Sequence, residues 1–375
     1  MLYFDSAATT FHRPRCVQEA VITAITTFGN PSRSAHAAAM EATRTITACR
    51  YELHNMFHNS DPSRVIFTAN ATAALNIAVQ SLQGHIITTA AEHNSVLRPI
   101  YKKNNYTILP CDEYGAIDFS KLASSVRKDT TAVVMTHASN VIGKIYNLED
   151  VGIFCKTHQL NFIVDASQTA GLLQIDMTKT GISALCISGH KSLLGPQGTG
   201  ALLLNDDFSP SPLMVGGSGT HSFGKEQPGT YPEYLEAGTL NSHGIAGLLA
   251  GLQYLSQLPQ DYAYHKVMDL SDHFYKEISK IESLITYGKY SREECIPVFS
   301  LNIKGLDSAE LAFILANKYN IAVRSGIHCA PLMHKALGTQ DLGTVRFSFS
   351  HLNTMAEIDN AIAALSAITT IQTTG

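Results

Sequence analysis

The sequence predicts an α/β fold, with a large domain built on a mostly parallel sheet and a smaller α/β domain beside it. Three observations carry this. From about residue 64 to 204, short β-branched runs alternate with helix-period stretches, the pattern of βαβ units. After about residue 240 the pattern changes to longer helices followed by a few short strands. The 375 residues also exceed the usual single-domain length of about 100–150.

Taken in order, a strand at 64–68 leads into a helix from about Thr72. On that helix Leu75, Ala78, Val79 and Leu82 recur at i, i+3, i+4 and i+7. Further strands are expected at 85–88, 107–109, 132–136, 162–165, 185–188 and 201–204. Helices near 95–104, 118–128 and 148–159 separate several of them. A helix of small and apolar residues at 244–255 and another near 261–282 open the second part. A strand at 298–303, a helix at 307–319 and short strands near 321–324 and 344–349 follow. The final helix begins with Thr354 and Glu357, a T-x-x-E capping box, and carries Met355, Ile358, Ile362 and Leu365 on one face. The large domain is expected over 15–255, and the small one over 1–14 and 256–375.

Composition narrows the function. Lys plus Arg is 27 against 31 for Asp plus Glu, a net charge of −4, so no basic excess exists for binding nucleic acid through phosphate neutralisation. With 45% hydrophobic and only 15% charged residues, a large core is expected and disorder is excluded as the dominant state. The seven cysteines are dispersed and form no C-x-x-C pair, which argues against a zinc ribbon or dithiol and fits a reducing compartment. The first residues do not read as a signal peptide, and no apolar run of about 18 residues spans a bilayer. A cytoplasmic, membrane-free protein is expected.

Two segments carry chemistry. Ile187-Ser188-Gly189-His190-Lys191-Ser192 places a lysine in a Gly-rich turn at a strand end. A phosphate loop is excluded, because His190 stands where the second Gly of that motif must be. A solvated surface lysine and a Schiff-base lysine remain, and only the second needs a held position. Asp165 ends an apolar strand, where open α/β sheets bind ligands. A helix cap or a metal ligand would also suit it. A pyridoxal phosphate site needs a carboxylate on its pyridine nitrogen, and the Asp-then-Lys order fits that need. The second segment, Arg324-Ser325-Gly326-Ile327-His328-Cys329-Ala330-Pro331, sets a cysteine in a Gly-containing loop beside a histidine, five residues after an arginine. An adjacent imidazolium or guanidinium favours the thiolate. A metal site from His328, Cys329 and His334 lacks a clear fourth ligand, and no metal is expected.

These segments, with Tyr3-Phe4-Asp5-Ser6-Ala7-Ala8 at the start, resemble the cysteine desulfurase branch of the class V aminotransferases, which are fold-type I pyridoxal phosphate enzymes. The likeness runs over essentially the whole chain. It implies that Lys191 holds the cofactor covalently, Asp165 pairs with the pyridine nitrogen and Gln168 bonds the phenolic oxygen. His93 would stack on the ring and assist proton transfers, with Asn140 near the phenolic oxygen and substrate. Thr72, Ser188 and His190 would cradle the phosphate, together with Thr239 from the other subunit of a homodimer. Arg346 would clamp the substrate α-carboxylate, with Arg324 and Asn30 also at the substrate. Cys329 would take sulfur from L-cysteine as a persulfide, leaving L-alanine, and pass it to an acceptor protein. The Cys329 loop resembles group II of the branch, whereas the 29–36 loop is closer to group I, and Ile327 stands where group II commonly has a second histidine. Alternatives are a selenocysteine lyase, a cysteine sulfinate desulfinase, an aminotransferase, an epimerase, or a non-catalytic sulfur-relay protein.

Overall fold

The computed structural model describes residues 1–31 and 34–373; Ser32 and Arg33 of the 29–36 loop lie outside them. In chain order the elements begin with β1 (Leu2–Tyr3), α1 (Arg15–Thr27) and α2 (Ala37–Phe57). The alternating part follows: β2 (Val65–Thr68), α3 (Ala71–Ser81), β3 (His85–Thr89), α4 (Asn94–Lys103), β4 (Tyr106–Leu109), α5 (Ser120–Ser125), β5 (Thr130–Thr136), α6 (Leu148–Thr157), β6 (Asn161–Asp165), α7 (Met177–Thr180), β7 (Ala184–Ser188) and β8 (Gly200–Leu204). The remainder is α8 (Ser242–Gln257), α9 (Tyr262–Ile278), β9 (Leu284–Tyr287), β10 (Val298–Ile303), α10 (Ser308–Tyr319), β11 (Ile321–Ala322), β12 (Arg324–Gly326), α11 (Pro331–Ala336), β13 (Thr344–Ser348) and α12 (Met355–Thr373).

Seven strands form the main sheet in the order β2-β8-β7-β6-β5-β3-β4. Its β7–β6–β5–β3–β4 run is parallel, and β8 lies antiparallel between β7 and β2. Both faces are covered, which is why the strands read as unbroken apolar runs. Phe162 and Val164 of β6 pack with α2, α6 and α8, while Ile163 between them packs with α3 and α4. Alternation is therefore present in space although hydropathy hides it. The reversed β8 makes residues 189–199 a hairpin loop pinned by the Ser188↔Gly200 pair, and Lys191 sits in it.

A second, antiparallel sheet has the order β12-β13-β10-β9, and β1 pairs with β11. Its core is aromatic, with Phe4, Phe274, Phe299, Phe347 and Phe349 in mutual contact beneath α9, α10 and α12. The N-terminal segment thus belongs to this layer. The capping box of α12 forms reciprocally: Thr354 N donates to Glu357 Oε2 (2.9 Å), and Glu357 N donates to Thr354 Oγ1 (3.3 Å). No helix among the described residues is long and apolar enough to cross a membrane.

Candidate active site

The C-terminal ends of β5, β6 and β7 open into a cavity of about 290 Å³. Eight of the expected residues line it: Thr72, His93, Asn140, Asp165, Gln168, Ser188, His190 and Lys191. Local structure explains their placement. Asn70 caps α3 by accepting from Ala73 N (3.0 Å), which presents the free amides of the first turn and the Thr72 hydroxyl to the cavity side. His93 caps α4 in turn. Ser95 N donates to its Nδ1 (3.0 Å), so Nδ1 is the acceptor nitrogen and the ring proton sits on Nε2. Burial pulls the His93 pKa down to about 4 and keeps the ring neutral. Ser95 Oγ also lies 2.8 Å from Thr72 Oγ1, joining the two helix starts.

Asp165 is buried, and its Oδ1 accepts from Ser167 N (2.9 Å) and from the Ser167 hydroxyl. Lys191 is partly buried with Asp165 near it. Desolvation pulls its pKa down to about 8, against the upward pull of Asp165. An amine so tuned is a usable nucleophile near neutral pH. Gln168 Nε2 donates to Ala7 O (3.1 Å), and His190 Nδ1 is 3.0 Å from Thr9 Oγ1.

Arg346, Arg324 and Cys329 do not line this cavity; the second sheet and the Cys329 loop reach it through Asn140, which does. Arg346, 1% exposed, donates from Nη1 to Asn140 O (3.0 Å) and from Nη2 to Asp5 Oδ1 (2.6 Å). Arg324 stands directly opposite it on β12, and its Nη2 lies 3.9 Å from Cys329 Sγ. Two like charges in register oppose sheet pairing, and the Asp5 carboxylate supplies a counter-charge to Arg346. The Cys329 loop is tied to the main sheet by Asn140 Nδ2 donating to His328 O (2.7 Å) and Asn94 N donating to Cys329 O (2.7 Å). His328 and Cys329 both adopt left-handed backbone, with φ of 48° and 57°, a cost that functional loops commonly carry.

Two placements differ from the sequence reading, those of His328 and Asn30. His328 is no cation beside the thiol: it is buried, burial foremost pulls its pKa to about 2, and its Nε2 lies 3.0 Å from Thr344 O. Arg324 is the cation at the sulfur. Asn30 lies apart from the Lys191 cavity, in a separate cavity of about 510 Å³ with Arg50 and Glu236; Thr239, which the resemblance assigns to the other subunit's phosphate, lines the same separate cavity. That region is braced by an Arg50–Glu236 ion pair (2.5 Å), with Glu236 Oε1 accepting from Phe67 N (2.7 Å). Residues not foreseen at the site are Asp5, Asn70, Glu92, Ser95, Thr136 and Ser167. Asn70 and Ser95 had a readable signal, as a cap before α3 and as the residue two after His93. Glu92 had none. It is fully buried, burial raises its pKa to about 8, and its Oε1 accepts from Thr136 N (3.1 Å) and from the Thr89 hydroxyl.

The sequence profile of the family described as Aminotransferase class-V matches residues 2–361. The chain belongs to that family. Similar members include the cysteine desulfurase IscS of Vibrio vulnificus, 30% identical over 383 residues covering 96% of this chain and 91% of the relative. The apo structure of the cysteine desulfurase from Thermococcus onnurineus superposes with a TM-score of 0.92 at 28% identity, covering 98% of this chain and 94% of that one. The Escherichia coli cysteine desulfurase CsdA gives 0.89 at 26% identity, over 99% and 95%.

The desulfurases of this class-V family are pyridoxal phosphate enzymes. The residues present fit that group. A lysine with a lowered pKa, a buried carboxylate, a neutral imidazole and a helix N-terminus with hydroxyls surround one cavity. Asn140 Oδ1 is buried without a protein partner, an acceptor left for a bound molecule.

Proposed function

We propose that this chain is a pyridoxal phosphate-dependent cysteine desulfurase, converting L-cysteine to L-alanine with the sulfur carried as a persulfide on Cys329. The observation that carries the reading is the joining of the Cys329 loop to the cofactor cavity. Asn140, which lines the cavity holding Lys191 and Asp165, donates to His328 O, and Asn94, next to the lining residue His93, donates to Cys329 O. When bound, the cofactor supplies an electron sink for the bonds broken at the substrate's Cα and Cβ. Lys191 would hold it and would move the Cα proton. Asp165 would keep a proton on the ring nitrogen, and Thr72, Ser188 and His190 would bind the phosphate. His93 would pack on the ring, and Gln168 and Asn140 would bond its phenolic oxygen. Arg346 takes the α-carboxylate, with Arg324 and Asn30 at the substrate's approach. Cys329 Sγ forms a new S–S bond as the substrate's C–S bond breaks. The electron pair of that bond leaves with carbon, which is protonated to alanine.

Incubating the purified protein with L-cysteine tests this. Alanine is expected in equal amount to sulfur, retained on the protein without reductant and released as sulfide with it. Absence of alanine would overturn the reading.

The working form in this proposal is a cytoplasmic homodimer, handing its sulfur to an acceptor protein. Residues 15–255 form the cofactor-binding unit, and 1–14 with 256–375 the unit bearing Cys329. Support for two copies comes from Thr239 and Asn30 lying away from this copy's own Lys191 cavity, and from Ile22 and Ile25 exposed on one helix. A second copy would bring Thr239 to the partner's phosphate. Light scattering should give twice the chain mass. A monomer with full activity would remove Thr239 from the site.

A further inference from the structure

The residue facing Arg346 comes from the far end of the chain. Asp5 Oδ1 accepts from Arg346 Nη2 at 2.6 Å, and the two form an ion pair. Asp5 is not free to drift. Its backbone bridges β13 at Ser348, two residues beyond Arg346, and Ala7 N donates to the Ser348 hydroxyl (2.9 Å). Phe4, fully buried in the aromatic core, fixes the segment from below, and Tyr3 Oη donates to Thr9 O (3.0 Å) to close it into a loop.

The same segment then runs to the other side of the cavity. Ala7 O receives the Gln168 amide, Thr10 N donates to His190 O (3.0 Å), and Thr10 Oγ1 donates to Lys191 O (2.8 Å). Within eight residues, Tyr3–Thr10, one strap touches the arginine on β13 and the lysine in the β7–β8 hairpin. On Arg346, two donors are tied down by Asn140 O and Asp5, while Nε is buried with no protein partner. A planar guanidinium held at two nitrogens presents its remaining N–H groups in a fixed fork, the arrangement that recognises a carboxylate.

We propose that Asp5 is a positioning residue for substrate recognition: it sets the orientation of the Arg346 fork, so that the strap aligns the carboxylate site with Lys191. The inference rests on the reading of Arg346 as the carboxylate anchor. It makes Asp5 matter for substrates that carry an α-carboxylate and not for amines that lack one. Position, more than charge, is what Asp5 contributes, because the acceptor oxygen and its reach to Nη2 hold the fork.

The test compares Asp5→Ala, Asp5→Asn and Asp5→Glu with Arg346→Lys in the cofactor-loaded enzyme. Asp5→Ala should raise KM for L-cysteine about tenfold or more, the scale of a lost charge-assisted hydrogen bond, with kcat falling far less. Asp5→Asn keeps an acceptor oxygen in place and should recover most of that loss. Asp5→Glu keeps the charge but displaces it, and should recover less. Cysteamine, which has the amine and thiol of cysteine without its carboxylate, should perturb the cofactor absorbance at the same rate in Asp5→Ala as in the parent. If Asp5→Ala leaves KM unchanged while Arg346→Lys raises it, the role of Asp5 is overturned and the anchor stands. If Asp5→Glu recovers activity better than Asp5→Asn, charge and not position is at work, which also overturns the proposal. If Arg346→Lys leaves KM unchanged, the anchor reading itself fails. Should Asp5→Ala not fold, the Asn-against-Glu comparison decides, with the cysteamine control run on Asp5→Glu against the parent.

Discussion

Lys191→Ala is expected to abolish turnover, by at least about 10³-fold, which corresponds to roughly 4 kcal/mol of barrier. Alanine removes both the covalent attachment and the group that moves the Cα proton, and the hairpin loop offers no second amine, since Lys191 is the only lysine between Ser188 and Gly200. Borohydride treatment of the loaded parent should fix the cofactor on the peptide containing Lys191, and should fix none in the variant. A variant that still fixes cofactor would move the attachment to another lysine. The parent also has a pH signature. Because desolvation lowers the Lys191 pKa to about 8, its neutral, reactive form is half-populated near that pH and grows above it, whereas an ordinary lysine waits until above 10. Capture of pyridoxal by cofactor-stripped protein, trapped with borohydride, should therefore rise through pH 8. A midpoint near 10.5 would show a solvated amine.

Cys329→Ser should lose alanine formation from L-cysteine by about 10²-fold or more, while the cofactor remains bound with its absorbance intact. The substitution is nearly isosteric, so the left-handed turn and the Asn94–Cys329 backbone bond are expected to persist. What disappears is a sulfur nucleophile beside the Arg324 guanidinium, and a hydroxyl is a poor nucleophile towards sulfur. Full activity of this variant on cysteine would set aside the persulfide step. Activity surviving only on selenocysteine or cysteine sulfinate would favour one of those lyase chemistries within the same family.

Much of this was legible in advance, and the failures have physical causes. The β-branched runs located the strands of the main sheet because burial on both faces demands them. The direction of β8 was not legible, since an apolar strand covered on both faces looks alike whichever way it runs. β9 was missed because Leu284–Tyr287 is short and mostly half-exposed at a sheet edge, so its pattern is weak. The role of His328 was misjudged from adjacency. Its neighbour in sequence is Cys329, but its bonding partner is Thr344 on β13. Asp5 could not be connected to Arg346 by any local signal, because a pair so far apart in the chain is joined only by the sheet that carries both.

That separation has a consequence in time. Asp5 and Arg346 stand 341 positions apart, whereas the residues lining the Lys191 cavity all lie between Asn70 and Lys191. During synthesis, which proceeds at about 5–20 residues per second, the amino acids of that cavity leave the ribosome well before Arg346 is made. The carboxylate clamp cannot exist until the last strand has emerged and met the first residues of the chain. A nascent or C-terminally truncated product ending before β13 would thus carry the lysine and its surroundings without the means to recognise an amino acid, so the ability to select a substrate is gained only when the two ends of the polypeptide meet.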